Sequence, residues 1–475
     1  MKTKLILYGL SKGLTGLISI ISVVLLTRIL NSEQYGELSL AISIVTIFSS
    51  FFYQWISVSL LRFNRSDELL GNDVTKPVFF LFLISSSIVV IIMFTLGAFV
   101  LKHSYSIFNI IIITCFIIFL GFYTIVVQFL NAVNDPKSFA SIVALKSIAI
   151  LILSLIILQY DKTFSSVLIA NSFVLFAISV YYLRCFISVD SLNVFKIKMQ
   201  LKEFLVYGFP LAISSLFILV IDLSDRFMIS YFLGKEQLGN YSAPYDLVQQ
   251  IAGAAFNILT LAMFPLLIKA YNLSEKEKYN NLLKKYFDFT IFLSFIVLVT
   301  FFSLNDLISN LFFGLEFRQT AKELIPLVAI AILFGSIKSN FIDLPLKIEK
   351  KTNTLLLISI FMAISNVLFN YFLIPLIGIK GGVLSTLLAF IIGCVFSFLF
   401  VKSKIISSIN FIRLFETLFF AFAIIILFKY FELESIILSN VIANLLLLGG
   451  MIFITALYLN FFNIRTCLLR RIKGI

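Results

Sequence analysis

Chemistry in this sequence depends on a few ionisable residues that lie inside long apolar stretches. Four of them are basic, and each interrupts a run composed mainly of Leu, Ile, Val and Phe: Lys12, Lys146, Arg226 and Lys338. A charged side chain at the centre of a helix in lipid costs about 2.5–3.5 kcal/mol on insertion scales, so each residue requires a partner or a function. Basic residues that line a water-filled cavity would bind an anion.

Two acidic residues accompany Arg226. Asp222 lies four residues before Arg226, a spacing that places both side chains on one helix face and allows an intrahelical ion pair. In the alternative interpretation, Asp222 is a proton or cation site, with Asp225 beside it, and Arg226 contacts an anion. The sequence leaves both interpretations open.

Glycines surround Lys12. Gly9, Gly13 and Gly16 lie at helical spacing around it, so one face of the helix carries no bulk. Such glycines usually allow two helices to pack closely. The alternative is a groove that leaves room for a ligand, with Lys12 as a point charge beside it.

Lys146 and Lys338 differ in depth. Lys146 lies about two turns into its apolar stretch, from where a lysine can extend to the head groups at the membrane surface. Lys338 lies deeper and is followed by Asp343 at i+5. An α-helix brings i+3 and i+4 neighbours together, so the i+5 spacing disfavours an ion pair and favours a cavity role for Lys338.

Uncharged polar residues are candidates for hydrogen bonding or stacking. Gln54 could donate hydrogen bonds and Trp55 could stack on a ring, although a lone Trp near the end of a span is more often an interfacial anchor. Asn340 is a third candidate. Asn366 and Asn370 lie one turn apart, and such a pair more commonly joins helices by hydrogen bonds.

Composition defines the environment of these residues. Hydrophobic residues make up 60% of the 475 residues and charged residues only 13%, which excludes a soluble globular protein. An aromatic content of 16% excludes a disordered chain, so a polytopic membrane protein remains. One histidine, His103, and four scattered cysteines give no pattern for a metal or thiol-redox site. We therefore expect no metal, no cofactor, no catalytic residues and no nucleic-acid partner.

Apolar stretches of about 20 residues, the length that crosses ~30 Å of hydrocarbon, predict the spans. Fourteen occur, with the first at 6–30, the seventh at 206–233 and the last at 436–460. They must be helices, because lipid offers backbone groups no other partner. Lys and Arg are roughly three-fold more frequent in alternate loops, which predicts that both termini are cytoplasmic. The first apolar run continues without a small-residue cleavage pattern, so we interpret it as an uncleaved span.

One cytoplasmic segment is amphipathic. In 273–287, apolar residues such as Leu283 and Tyr286 recur at helical spacing opposite Lys278, Lys284 and Lys285. This pattern predicts a helix that lies on the anionic leaflet or, equally, a solvated connector.

Two segments of the chain resemble each other. The ten residues from Leu30 and the ten from Leu233 share Leu, Glu, Gln, Gly and Ser at five positions, at a constant offset of 203. Because both segments follow spans that run from inside to outside, they predict parallel repeats of six helices each. The predicted organisation is an N-terminal lobe (1–184), a cytoplasmic linker (185–205), a C-terminal lobe (206–403) and an extra helix pair with a cytoplasmic tail (404–475). Such lobes are typical of a transporter that binds its substrate between them.

The six-plus-six-plus-two organisation resembles the multidrug/oligosaccharidyl-lipid/polysaccharide exporter superfamily. Three local patterns carry a likeness to its O-antigen and capsular polysaccharide flippases: Thr27-Arg28-Ile29-Leu30 with Tyr35-Gly36, Asp225-Arg226 with Phe232-Leu233-Gly234, and Asn366 to Asn370 with Ile374-Pro375. The resemblance implies an all-α fold in a bacterial inner membrane and movement of an undecaprenyl-pyrophosphate-linked oligosaccharide from the inner to the outer leaflet by alternating access. It also implies membrane lipids as neighbours, with a glycan polymerase and chain-length machinery as further partners.

With this substrate class, the four basic residues are expected to form a cationic cavity for the pyrophosphate, with Gln54, Trp55 and Asn340 as sugar contacts. A cation-coupled multidrug exporter of the same fold is the first alternative, although four basic residues against few acids disfavour it. A peptidoglycan-precursor flippase shares the positive cavity. A membrane glycan polymerase or glycosyltransferase would be expected to show a large outside loop or an acidic catalytic motif, and the sequence contains neither. No Gly-rich nucleotide loop occurs, so ATP-driven transport by this chain alone is not expected. We predict a transporter and not an enzyme.

Overall fold

The computed structural model describes residues 2–63, 75–99, 105–186, 194–405, 409–431 and 438–459, and every regular element in these ranges is a helix. Twelve of the described helical segments are long and apolar enough to cross a membrane, and Gly13–Ile29 forms a shorter apolar segment. The predicted all-helical membrane fold is confirmed. The predicted count of fourteen spans is not confirmed by the described residues.

The chain divides into two compact units, Met1–Gly239 and Asn240–Ile475. The described residues of the first unit form eight complete helices and the start of a ninth: α1 (Lys2–Ile29), α2 (Ser32–Ser49), α3 (Trp55–Phe63), α4 (Thr75–Phe99), α5 (Ile107–Ala132), α6 (Pro136–Leu158), α7 (Phe164–Leu183), α8 (Val194–Leu233) and α9 (Lys235–Val248). Within it, α1 packs along α6, α5 packs on α7, and α2 and α3 pack on α8. Arg226 and Ser39, discussed below, lie at the contact of α8 with α2.

In the second unit, the part that the structure describes holds the end of α9 and nine further helices: α10 (Ala254–Asn272), α11 (Lys276–Ser303), α12 (Asn305–Phe312), α13 (Leu315–Ile337), α14 (Leu344–Ile348), α15 (Thr352–Ile377), α16 (Ile379–Ile405), α17 (Phe411–Phe431) and α18 (Leu438–Tyr458). Both α15 and α13 pack on α16. The helix α17 packs on α11, where Arg413 Nη1 lies 2.7 Å from Asp288 Oδ1. This ion pair ties the C-terminal helix pair to the rest of the unit.

Short polar residues begin several helices. The Asn31 side chain accepts a hydrogen bond from the Gln34 backbone N at 2.9 Å and caps α2, and Asp135 caps α6 in the same way through Ser138 at 3.1 Å. Pro136 follows Asp135 at the first helical position, where its missing N–H costs nothing. The hydrogen bonds from the side chain and backbone of Ser138 hold the pKa of the Asp135 carboxyl below its usual value.

Three π-helical segments interrupt the described helices, at Ser50–Gln54, Gln249–Gly253 and Lys338–Ile342. A π-turn adds one residue to a helical turn. Such turns are uncommon and are frequently found at functional sites. In the third segment the Asp343 backbone N donates to the Lys338 carbonyl at 2.9 Å, so residues five apart lie one turn apart there.

The amphipathic segment 273–287 does not form a separate surface helix. Its residues from Lys276 onward are the first turns of α11, which continues without a break into an apolar span. Leu283 and Tyr286 are fully buried inside the second unit, whereas Lys284 on the other face is exposed. The helical periodicity correctly predicts a helix, but its apolar face packs on protein and not on the membrane surface.

Candidate functional site

Arg226 is a buried residue of α8 whose side chain reaches α2. Its Nη1 donates a hydrogen bond to Ser39 Oγ at 2.8 Å, and its backbone N donates to Asp225 Oδ1 at 2.8 Å. Arg226 is 8% exposed and Asp225 is 1% exposed. Burial of a guanidinium against a neighbouring hydroxyl holds the charge in a fixed place inside the membrane-spanning region.

Asp222 is half-buried on the same helix. In the described part of the chain, no hydrogen bond or ion pair joins it to Arg226, because the guanidinium extends toward Ser39. The i,i+4 spacing therefore gives no direct contact among the described residues, although the charge of Arg226 still acts on the Asp222 carboxyl. Asp222 and Asp225 stay candidates for ion coupling.

Lys146 lies on α6 with its ammonium group over an aromatic ring of α5. Its Nζ is 4.6 Å from the centroid of the Tyr123 ring, and the ring itself is buried. A cation–π contact of this kind contributes about 0.5–2 kcal/mol, depending on how far it is desolvated. Among the described residues no carboxylate pairs with Lys146, so its charge is directed at the interior of the first unit and is not neutralised there by an acid.

Lys12 is part of α1, but its side chain lies outside the described part of the structure. The glycines around it are described. No described atom lies within 4 Å of the place where a Cβ would stand on Gly9, Gly13 or Gly16. These glycines therefore do not mark a close helix–helix contact within the described residues, and the groove interpretation stays a prediction.

Lys338 is paired, contrary to the expectation from its spacing. Its Nζ lies 2.7 Å from Asp343 Oδ2, and both side chains are less than 10% exposed. The π-turn at Lys338–Ile342 accounts for the pair, because it places residue i+5 where an α-helix places i+4. The charge of Lys338 is thus neutralised in this conformation.

Asn340 lies in the same π-turn and is bound by protein groups. Its Oδ1 accepts a hydrogen bond from Thr260 Oγ1 at 2.8 Å, and its backbone carbonyl accepts one from the Tyr286 hydroxyl at 2.8 Å. The Thr260 and Tyr286 hydroxyls are 2.7 Å apart. This network joins α10, α11 and the π-turn, and it uses the side-chain oxygen and the backbone carbonyl of Asn340.

Gln54 and Trp55 lie at the end of the first π-helical segment. Gln54 is exposed, whereas Trp55 is 8% exposed and packs against the backbone of α8. A Cβ on Gly208 would stand 2.6 Å from Trp55 Cε3. In this conformation Trp55 is neither an interfacial anchor nor an open stacking surface, and Gln54 keeps a free approach.

Asn366 and Asn370 join two helices. The Asn370 amide donates to Asn366 Oδ1 at 3.1 Å, and the Asn366 amide donates across to Thr386 Oγ1 on α16 at 3.3 Å. Both asparagines are fully buried. The contacts agree with the expected role as hydrogen bonds between helices.

The site residues are distributed over both units. Lys12, Lys146 and Arg226 belong to the first unit, in which α1 and α6 are direct neighbours, and Lys338 and Asn340 belong to the second. Sequence reasoning missed Ser39 and Tyr123, which contact two of the basic residues. No spacing signal links Ser39 to Arg226 or Tyr123 to Lys146, because the two residues of each pair lie on different helices.

The family model described as Polysaccharide biosynthesis protein matches residues 1–271, more than half of the chain. The chain belongs to this polysaccharide biosynthesis protein family. The matched part includes Lys12, Lys146 and Arg226 and ends within α10. No curated protein matches the sequence.

Solved structures show which fold this family member has. Lipid II flippase MurJ, in an inward closed conformation, is similar at a TM-score of 0.75 and 15% identity, over 96% of this chain and 99% of that chain. A multidrug resistance MATE family transporter of the MOP superfamily, in an inward-facing conformation, gives a TM-score of 0.54 and 15% identity, over 85% and 94%. A MOP superfamily transporter from Pyrococcus furiosus gives 0.56 and 13%, over 86% and 96%. At such low identities these matches show a shared fold alone, and the predicted fold is confirmed.

Proposed function

We propose that the protein is a flippase that moves an undecaprenyl-pyrophosphate-linked oligosaccharide from the inner to the outer leaflet of a bacterial cytoplasmic membrane, with both termini cytoplasmic. The observation that carries the proposal is the family match over residues 1–271, the part that also holds three of the four basic residues inside apolar helices. Membrane transport, and no enzymatic step, is the activity that the MurJ-like and MATE-like fold supports.

The diphosphate of such a lipid requires cations that no protein acid neutralises. Lys146 meets this requirement, because among the described residues its ammonium group contacts the aromatic ring of Tyr123 and no carboxylate. Arg226 is held in place by Ser39, and Lys12 lies on a helix whose glycines mark no close helix–helix contact within the described residues. We assign the diphosphate to these three residues. Lys338 would contribute only in a state in which its pair with Asp343 opens.

The sugar contacts are proposed more narrowly than the sequence suggested. Gln54 is exposed and can approach a glycan, whereas Trp55 and Asn340 are occupied by protein contacts in this conformation. Asp222 is the candidate for ion coupling, since it is a half-buried carboxyl inside an apolar helix. A glycan polymerase and chain-length machinery would use the product in the outer leaflet.

A peptidoglycan-precursor flippase is the second candidate. The observation that favours it is the TM-score of 0.75 with the Lipid II flippase MurJ, against 0.54 with the MATE transporter. Both candidates require a cationic site for a polyprenyl diphosphate, so the basic residues do not separate them. The cation-coupled multidrug exporter is disfavoured, because it requires an acidic cavity for cationic drugs.

Reconstitution distinguishes the three. The purified full chain is placed in liposomes that carry an undecaprenyl-pyrophosphate oligosaccharide, lipid II or a cationic dye, and appearance of each on the opposite side is followed. We expect transfer of the oligosaccharide lipid, and its loss when Lys146 is changed to Gln. Transfer of lipid II alone would establish the second candidate, and export of the dye alone would refute both flippase proposals.

A further inference from the structure

Two glycines make a reciprocal backbone contact in the first unit. A Cβ on Gly36 of α2 would overlap the carbonyl oxygen of Lys235, and a Cβ on Gly239 of α9 would overlap the carbonyl oxygen of Ser32. The first turns of α2 and α9 thus touch backbone to backbone, at a distance that no other residue type allows.

The contact follows the internal repeat. The offset of 203 relates Ser32 to Lys235 and Gly36 to Gly239. Gly36 lies against Lys235, the counterpart of Ser32, and Gly239 lies against Ser32, the counterpart of Lys235. Reciprocal contacts of this kind are the property of a two-fold-related interface. The contact therefore explains why both repeats carry a glycine at this position. If only one helix approached the backbone of the other, a glycine would be needed in one repeat only.

Side chains brace the contact. Lys235 Nζ lies 2.5 Å from Glu37 Oε1 and 5.5 Å from the centroid of the Tyr105 ring. The Tyr105 hydroxyl donates to the Glu37 carbonyl at 3.4 Å. Burial, with a smaller contribution from the charge of Glu37, raises the pKa of this hydroxyl, so it stays protonated and keeps donating.

The contact lies at one end of the apolar helices. Only Leu30 and Asn31 separate α1 from α2, and only Gly234 separates α8 from α9. The distribution of Lys and Arg predicts that this end faces the outside. Beyond the contact, along the same face of α2, lie Ser39, which holds Arg226, and then Ser43, which is 1% exposed.

We propose that the Gly36–Gly239 contact, braced by Glu37 and Lys235, is the seal that closes the outer end of the transport path and separates when cargo is released. This inference rests on the proposed transport function. Gly36 and Gly239 are positioning residues in this account, since they act by letting the two helix ends meet.

The test measures access to a buried reporter from outside. In a background without Cys115, Cys185, Cys394 and Cys467, Ser43→Cys is labelled in intact cells with a membrane-impermeant thiol reagent. Gly36→Val or Gly239→Val should speed labelling about ten-fold, because an inserted side chain forces the packed turns apart. Gly449→Val on α18, where the added Cβ meets no described atom within 4 Å, is the matched control and should label like the parent.

A milder variant covers the case in which a valine prevents insertion. Glu37→Gln together with Lys235→Gln removes the brace and keeps the glycines, and it should speed labelling by up to about five-fold, as expected for a partly exposed ion pair. Exchange of the two charges should restore slow labelling. Labelling at the control rate in the glycine variants and in the Gln pair would overturn the proposal.

The readout does not depend on the cargo. Faster labelling without any movement of a glycan lipid would support the proposed seal and refute the proposed cargo. Movement of the glycan lipid with control-rate labelling in all variants would support the cargo and refute the seal.

Discussion

Lys338 and Asp343 are five residues apart, and yet they form a buried ion pair, with Nζ and Oδ2 at 2.7 Å. The π-turn between them brings the two side chains as close as residues four apart would be in an α-helix. A π-turn is itself unfavourable, so the pair and the Asn340 network around it compensate for the distortion.

Removing one partner of this pair should destabilise the protein strongly. Asp343→Asn leaves the Lys338 charge buried without its counter-charge, for which about 3–5 kcal/mol is the typical cost. The double variant Lys338→Met, Asp343→Leu should cost much less, because no charge is left in the interior. Thermal unfolding of the detergent-purified protein gives the comparison.

The exposed pair of Lys380 with Glu323 is the matched control. Its atoms are 2.9 Å apart, but both side chains are nearly half exposed, so Glu323→Gln should change stability by less than about 1 kcal/mol. Equal effects of Asp343→Asn and Glu323→Gln would contradict the buried-charge explanation.

Lys146 should be required for transport as a charge and not for its fit to Tyr123. Lys146→Gln is expected to reduce transport at least about ten-fold at an unchanged protein level, because it removes a cation from the proposed diphosphate site. Lys146→Arg should retain most of the activity, since it keeps both the charge and the cation–π contact. Transport into liposomes, normalised to inserted protein, is the measurement.

Tyr123 variants separate the two roles of the lysine. Tyr123→Phe keeps the ring and should transport normally, whereas Tyr123→Leu removes the ring that positions the ammonium group and should weaken substrate binding several-fold. If Lys146→Gln were as active as the parent, the assignment of Lys146 to the diphosphate would be abandoned.

Arg226 should be more sensitive than the serine that holds it. Arg226→Gln is expected to abolish detectable transport, and Arg226→Lys should also lose most of it, because a lysine cannot reach Ser39 in the same geometry. Ser39→Ala removes one hydrogen bond to a charged group, worth about 1.5–3 kcal/mol, and should lower transport by about ten-fold. A wild-type rate in Arg226→Gln would remove this residue from the site.

The sequence was sufficient for the fold class and for the residues that interrupt apolar helices, since both follow from hydropathy and charge along the chain. The i+5 pair of Lys338 was not predictable, because a π-turn leaves no signature in residue spacing. The partner of Arg226 was missed for another reason. Ser39 is distant in sequence, and only the packing of α2 on α8 brings it to the guanidinium.

The repeat shows what a sequence pattern can and cannot provide. Matching residues at a fixed offset identified Gly36 and Gly239 as equivalent. That the two glycines also touch each other's helix could not follow from their similarity, since equivalent positions in two repeats need not be in contact.

The Asn340 network gives a last prediction, which distinguishes a structural role of this residue from a sugar contact. Tyr286 donates to the Asn340 carbonyl and lies within hydrogen-bond distance of Thr260, and all three groups are inside the second unit. Tyr286→Phe leaves a buried carbonyl unsatisfied and should lower the free energy of unfolding by about 1–3 kcal/mol. Tyr458→Phe, at a tyrosine that is 67% exposed, should have no measurable effect.

The affinity of Asn340 variants for the glycan lipid distinguishes a structural role of this residue from a sugar contact. If Asn340 serves only the network, Asn340→Asp and Tyr286→Phe should reduce stability while the folded fraction keeps its affinity for the substrate. A loss of affinity in Asn340→Asp with unchanged stability would show that the side chain leaves Thr260 to bind the cargo, and the sugar contact that the sequence suggested would then be restored.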